Sequence, residues 1–361
     1  MDHKSERINV TKAFLPPIEE YNSYLKKIWQ NNQLTNHGPL LKEFEKEASE
    51  YLDVENFHFV TNGTIALQLA LRSLDITEGE VITTPFSYVA TTSAILWEGA
   101  KPVYVDIDPE TLCIDSDKIE AAITEKTKAI LPVHVFGNPC DIEAIDKIAK
   151  KHNLKIIYDG AHAFGVKYKN KPLLSHGDIS ICSFHSTKRF HTIEGGCVIA
   201  KDKKISDEIE LIKKFGHIGD DHYRLGINAK ASEYQAAMGL CNLKYIEENI
   251  QKRKEKIEIY NKLISNQMQR PKLNKETEYT FAYYPVVLES EEKLLDILNK
   301  LKNENIFPRR YFYPSLNTLP YIDKVQDCPI SEDISKKILC LPLFEDLEES
   351  IINKICEILK S

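Results

Sequence analysis

Four short segments carry side chains that could do chemistry together. SFHSTKRFHTIEGG (183–196) places Lys188 among the hydroxyls of Ser183 and Ser186, ahead of Glu194-Gly195-Gly196, a backbone able to turn tightly and approach a ligand. A lone loop lysine is ordinarily a solvated charge. With these neighbours it can serve instead as an imine-forming amine. IIYDGAHAFG (156–165) sets Asp159 directly after an apolar run, where a buried carboxylate must find a cation or several donors. A pyridinium nitrogen would serve, because the pair keeps that nitrogen protonated and makes the ring an electron sink. A helix N-cap or a loop ion pair is the plainer use. His162, three residues on, is placed to touch such a ring or its phenolic oxygen, although most lone histidines are merely packed or hydrogen-bonded.

The other two segments supply surroundings. In TNGTIALQLALRSL (61–74), Asn62-Gly63-Thr64 turns a strand into a helix beginning near Ile65. Free N–H groups at that helix start, with a threonine hydroxyl, suit a phosphate; an ordinary N-cap would look the same. In PFSYVATTSAI (85–95), Tyr88 can lie flat on an aromatic ring or else belong to the core. An amine, a pyridinium partner, an anion cradle and a stacking surface are each weak signals, but their order along one sheet is a strong one.

That sheet is written in the apolar runs FHFV (57–60), EVITTP (80–85), KPVYVDI (101–107), AILPVHVF (129–136), LKIIYD (154–159), ISICSF (179–184) and GCVIA (196–200). Several are apolar at nearly every position, as strands covered on both faces must be. Helical patterns alternate with them; Asp141, for example, can cap a helix with Ile142, Ile145 and Ile148 on one face. The expectation is an α/β fold with a large, mainly parallel sheet, whose strand ends carry the candidate residues. Beyond about residue 230 the texture changes. A long helical stretch begins near Ser232, a strand-like run covers 279–290, an amphipathic helix follows, 306–316 reads as a strand entering a loop, and 346–359 as a last helix. We expect a large domain over 1–245 and a smaller C-terminal α+β domain over 246–361.

Composition closes off other classes. With 361 residues and a net charge of −7, the chain can bury a full core and has no global electrostatic case for nucleic acid. The eight cysteines include no C-x-x-C pair, so they read as buried apolar residues of a reducing compartment. No apolar run is suited to a signal peptide or long enough to span a bilayer, and a cytoplasmic location is expected. His185, His191 and Glu194 are close in sequence, yet their spacing is not H-E-x-x-H and nothing completes a metal site. No metal is expected.

Taken together, KAFLPP (12–17), LTNHGPLLKEFE (34–45), the four segments above, GINAKASEYQAAMGL (226–240) and RRYFYP (309–314) resemble the DegT/DnrJ/EryC1/StrS family of sugar aminotransferases over nearly the whole chain. The resemblance implies the fold type I architecture and the cofactor pyridoxal 5'-phosphate. It implies that Lys188 is joined to the cofactor and shuttles the proton, that Asp159 pairs with the ring nitrogen, and that His162 sits near the ring oxygen. Thr64, the Ile65 backbone amide and Ser183 would hold the phosphate, and Tyr88 would stack on the ring. Asn228 would reach a phosphate of the other subunit, in a homodimer with shared active sites. Thr35, His37, His185, Arg309, Arg310 and Tyr313 lie where such proteins meet a nucleotide sugar. Gly160 in place of a frequent alanine, Ile193 before Glu194 where glycine is common, and His37 for a frequent asparagine depart from the pattern without removing a required group.

The implied reaction moves an amino group from L-glutamate, leaving 2-oxoglutarate, to a nucleotide-linked keto-6-deoxyhexose in deoxysugar or polysaccharide (O-antigen) biosynthesis. KAFLPP and IIYDGAHAFGV are similar to enzymes that aminate C4 of dTDP-4-keto-6-deoxyglucose, giving dTDP-4-amino-4,6-dideoxyglucose. A 3-keto sugar or a UDP-sugar is the alternative acceptor. Some relatives are 3-dehydratases with histidine at the position of Lys188, so lysine there argues for transamination. A non-catalytic cofactor-binding regulator or structural homodimer would not need the full set of Asp159, Ser183, Lys188 and Asn228.

Overall fold

The computed structural model describes residues 7–264, 267–323 and 326–361; the first six residues of the charged N-terminal segment lie outside them. A seven-stranded sheet runs in the order Phe57–Val60, Gly196–Ala200, Ile179–Ser183, Lys155–Asp159, Thr127–Leu131, Glu80–Thr83 and Lys101–Tyr104. Only Gly196–Ala200 runs against the rest; it pairs antiparallel with both of its neighbours. The remaining pairings are parallel. The expected mainly parallel α/β sheet is therefore what forms.

Successive strand residues enter different cores, which is why the runs are apolar throughout. Ile156 and Tyr158 join one cluster with Phe59, Ile130 and Cys182, while Ile157 joins another with Val60, Leu131 and Ile181. The second cluster is closed by helices Gly63–Ser73 and Lys203–Ile212; the first is filled by the aromatic group of Phe44, Phe164, Phe184 and Phe190 and by helix Pro39–Leu52. All eight cysteines are free and buried.

Several expected strands are shorter in the structure, and proline sets some of the limits. The run 129–136 ends as a strand at Leu131, before Pro132, and 80–85 stops at Thr83, ahead of Pro85. The run 306–316 forms only Ile306–Phe307 before Pro308. Proline has no N–H to give a ladder. The run 279–290 keeps only Tyr284–Val287, paired antiparallel with Ile338–Leu341. The long stretch from Ser232 is two helices, Glu233–Leu243 and Ile246–Ile264, the first begun by a capping box of Ser232 and Gln235. Asp141 caps its helix as expected, accepting from the Ala144 N–H at 3.0 Å.

A separate apolar cluster gathers Ile257, Tyr260, Leu294, Ile297, Leu339, Ile352 and Ile355 from the C-terminal third. The first described strand, Ile8–Asn9, pairs in parallel with Ile306–Phe307, so the beginning of the chain is stitched to the unit made by its end. No helix among the described residues is long and apolar enough to cross a membrane.

Candidate active site

Parallel strands deliver their carboxyl ends to one edge of the sheet, and there a cavity of about 570 Å³ opens. Asn62 to Ile65 enter it after strand Phe57–Val60, Ser87 to Thr91 after Glu80–Thr83, Asp159 to His162 after Lys155–Asp159, and Ser183 to Lys188 after Ile179–Ser183. The reversed strand starts at the same edge and brings Glu194. From the C-terminal third come Tyr283, Arg309, Tyr311 and Phe312.

Lys188 is half-buried in a turn tied by its N–H to the His185 carbonyl at 2.8 Å. Among the described residues no acceptor takes its amine, and burial pushes its pKa down, offset in part by Tyr311, Asp159, Cys182 and Tyr88. Asp159 is 4% exposed and forms no ion pair among the described residues. It accepts from Thr91 Oγ1 at 2.8 Å and from the Ala161 N–H at 3.1 Å. Burial raises its pKa; those two donors and the Lys188 charge pull it back. A carboxylate here with two donors and spare lone pairs suits a cationic nitrogen in the cavity.

His162 accepts from the Phe136 N–H through Nδ1 at 3.2 Å. Burial drives its pKa well down, so the neutral ring carries its proton on Nε2 as a donor. Phe312 and Phe136 lie parallel to it at 5.8 and 6.2 Å, and Tyr283 meets it edge-on at 4.9 Å. Tyr88 is 58% exposed at the cavity, which decides against the core alternative. At the anion cradle, Asn62 caps helix Gly63–Ser73 by accepting the Ile65 N–H at 2.9 Å. The Ile65 amide is therefore already engaged, contrary to the expectation of a free donor; the N–H groups of Gly63 and Thr64 are the ones without an intrahelical acceptor. A Cβ on Gly63 would stand 2.9 Å from Ser183 Cβ, so glycine is what lets the helix start close on the serine.

Not every expected residue reaches this cavity. His185 and Arg309 line it, the former with Nε2 3.3 Å from Glu194 Oε1. Thr35 is exposed elsewhere. His37, with φ +60°, turns toward Glu45 at 3.3 Å, beside the buried Lys213. Arg310 bonds Glu291 at 2.6 Å and covers the Tyr313 ring, and neither residue lines the cavity. Asn228 is exposed, held by Lys230 Nζ at 2.7 Å, and is absent from the cavity of its own chain. Sequence reasoning missed Ser87, Thr91, Tyr283 and Tyr311. For Thr91 the signal was its position three residues past Tyr88, at the start of a helix. No group of three His, Cys, Asp or Glu able to hold a metal ion occurs among the described residues.

These residues fit the cofactor that the resemblance implies: an amine, a buried carboxylate with no ion pair among the described residues, a glycine-built anion cradle and an exposed tyrosine face one cavity. The family model described as the DegT/DnrJ/EryC1/StrS aminotransferase family matches residues 17–360. The chain is 43% identical, over 96% of its length and 97% of the relative's, to a dTDP-4-amino-4,6-dideoxy-D-glucose transaminase of Shigella dysenteriae. Among solved structures, DesI in the presence of its TDP-sugar product superposes with a TM-score of 0.92 at 29% identity, covering 99% of this chain and 93% of that one. The PMP-form of a putative sugar aminotransferase, Spr1654 of Streptococcus pneumoniae, matches with a TM-score of 0.90 at 27% identity, over 98% and 97% of the two chains.

Proposed function

The chain belongs to the DegT/DnrJ/EryC1/StrS aminotransferase family, which works with pyridoxal 5'-phosphate, and on that premise we propose that it moves an amino group from L-glutamate to a nucleotide-linked 4-keto-6-deoxyhexose. The acceptor we assign is dTDP-4-keto-6-deoxy-D-glucose, giving dTDP-4-amino-4,6-dideoxyglucose, on the strength of the 43% identity to the Shigella transaminase. The observation that carries the site is a buried carboxylate, Asp159, facing the same cavity as the amine of Lys188, the first with no ion pair and the second with no acceptor among the described residues.

In this reading the bound cofactor supplies an aldehyde that takes the amino group and a ring that holds the electron pair released when a C–H bond breaks. Lys188 Nζ would carry the proton between the two carbons concerned, and burial biases it toward the neutral amine. Asp159 would hold the ring nitrogen in its protonated form. His162 would donate its Nε2–H toward the ring oxygen, Tyr88 would cover the ring, and Thr64, Ser183 and the N–H groups of Gly63 and Thr64 would hold the phosphate. Arg309, an exposed residue of the cavity lining, would meet the sugar's diphosphate. Asn228, exposed and absent from the lining of its own cavity, would serve the phosphate of a second subunit; the working form in this reading is a homodimer, and its location the cytoplasm. We place the division between two domains near residue 245, with the strand Ile8–Asn9 attached to the second.

Two measurements test this. Borohydride reduction of the loaded enzyme should fix the cofactor on Lys188; a label found on another lysine overturns the assignment. Incubation with L-glutamate and a panel of nucleotide keto-sugars should give a C4-amino product from the dTDP substrate by NMR. A C3-amino product, or turnover confined to UDP-sugars, replaces the acceptor assigned above.

A further inference from the structure

Two hydroxyls stand in line behind Asp159. Ser87 Oγ lies 2.8 Å from Thr91 Oγ1, and Thr91 Oγ1 lies 2.8 Å from Asp159 Oδ2. All three are shut away from water, at 4%, 1% and 4% exposure. Their chemistry fixes the direction of the chain of bonds. An ionised carboxylate has no proton to give, so Thr91 must donate its only hydroxyl hydrogen to Asp159. Its oxygen can then only accept, and Ser87 is the donor within reach. Each bond in such a chain polarises the next, and the low-dielectric surroundings strengthen both. If Asp159 were neutral and itself the donor, both hydroxyls would have to turn round.

Thr91 begins the second residue of helix Ala90–Trp97, and Ser87 lies in the turn just before that helix. The two hydroxyls are thus fixed by a rigid element, whereas Asp159 sits at the end of a strand on a different part of the sheet. On Oδ1 the Ala161 N–H makes the other contact, from Asp159's own turn. The carboxylate is held from both sides, and its remaining lone pairs are left for a group in the cavity.

We propose that Thr91, with Ser87 as its donor, is a positioning residue that fixes Asp159 in its charged form and in one orientation toward the ring nitrogen of the cofactor. The inference rests on the reading of Asp159 given under Proposed function. It predicts an effect on cofactor electronics and affinity that loss of fold stability alone would not produce.

The test compares Thr91→Val, which keeps the shape and removes the hydroxyl, with Thr91→Ser, which restores it, and with Ser87→Ala. Cofactor-free protein is titrated with pyridoxal 5'-phosphate for affinity, and the loaded protein is titrated with acid and base while its visible absorbance is followed. Thr91→Val should weaken cofactor binding about ten- to hundredfold, the range for losing a hydrogen bond to a charged group. It should also move the midpoint of the absorbance titration and lower kcat while leaving the KM for the sugar nucleotide near its wild-type value. Thr91→Ser should recover most of each effect, and Ser87→Ala should produce a smaller change in the same direction. Wild-type affinity and midpoint in Thr91→Val overturn the proposal, even if turnover falls. Should Thr91→Val not fold, the same readouts on Ser87→Ala decide: a change supports the chain, and none overturns it. Asp159→Asn separates the two layers. If it alters affinity and midpoint while Thr91→Val does not, the hydroxyl chain fails and the Asp159 assignment stands; if Asp159→Asn changes neither, the assignment itself fails.

Discussion

Asp159→Asn should act with opposite sign on the cofactor-free and the loaded protein. In the cofactor-free fold, Asp159 is a buried carboxylate with two hydrogen bonds and no ion pair among the described residues. Burial sets its folded pKa above the unfolded value of about 3.9. The stability it contributes is therefore present below about pH 3.9 and is lost as pH rises through the folded value. At neutral pH the charge costs the cofactor-free protein stability. Asparagine removes the charge and can still be satisfied: its oxygen accepts from the Ala161 N–H, its amide donates to Thr91 Oγ1, and the Thr91 hydrogen turns to Ser87. The cofactor-free variant should be as stable as wild type at pH 7 or more so, by up to about 1–3 kcal/mol, the range for burying an imperfectly compensated polar group. That advantage should shrink on acidification toward pH 4. With cofactor bound, the variant lacks one partner of a buried charge pair, a loss of about 3–5 kcal/mol. To the extent that this loss falls on the transition state, 1.36 kcal/mol per decade slows the half-reaction with L-glutamate by up to about a hundred- to several-thousandfold. Thermal unfolding of cofactor-free and loaded protein between pH 4 and 8, with stopped-flow absorbance of the half-reaction, measures both arms. Equal destabilisation with and without cofactor, or a half-reaction of wild-type speed, would refute the reasoning.

Other perturbations follow from the same geometry. Gly160→Ala puts a Cβ 2.4 Å from Leu174 Cδ2 and 2.9 Å from the Ile181 carbonyl oxygen; the methyl end can move but the backbone oxygen cannot, so calorimetry should show a loss of about 1–3 kcal/mol. An unchanged Tm would mean that the turn after Asp159 yields more readily than its contacts indicate. Lys188→Met removes an amine whose folded pKa is lowered by burial, a penalty present whenever the folded group is protonated. It should raise the stability of cofactor-free protein at pH 7, with the gain fading as pH approaches the unfolded lysine value of about 10.4. A gain that is the same at every pH would point to packing rather than charge. Mixing Lys188→Ala with Asn228→Ala subunits should restore activity above either parent, because one site of the mixed dimer then receives both intact residues. No recovery would place Asn228 outside the partner's site.

Much of the site could be read from the sequence because each piece is attached to a strand end. Asp159, Ser183 and the Asn62–Thr64 turn follow apolar runs whose length and composition fix where the strand stops, and parallel strands gather those stops at one edge. Side-chain direction and long-range partnership were harder. His37 lies in a segment that resembles a substrate-binding one, yet its backbone turns the ring toward Glu45. The Ile65 amide, expected at the anion cradle, is taken by the Asn62 side chain, a bond that the sequence of the turn does not reveal. Thr91 sits 68 residues from Asp159, and nothing local to either shows that their oxygens meet. Tyr283, Tyr311 and Phe312 come from the C-terminal third, whose strands are too short to announce which loop returns to the cavity.

The pairing of Ile8–Asn9 with Ile306–Phe307 bears on how the enzyme comes into being on the ribosome. Its two strands are separated by almost the whole chain, and Arg309 follows the second by only two residues. Lys188 and Asp159 are synthesised long before the segment that carries Arg309, Tyr311 and Phe312. The early strand has no partner until that segment emerges, and bringing such distant segments together carries the entropy cost of closing a long loop. Completion of this clasp and arrival of the cavity's outer wall are therefore one late event, and a truncated chain holds the reactive amine without the wall that would screen it.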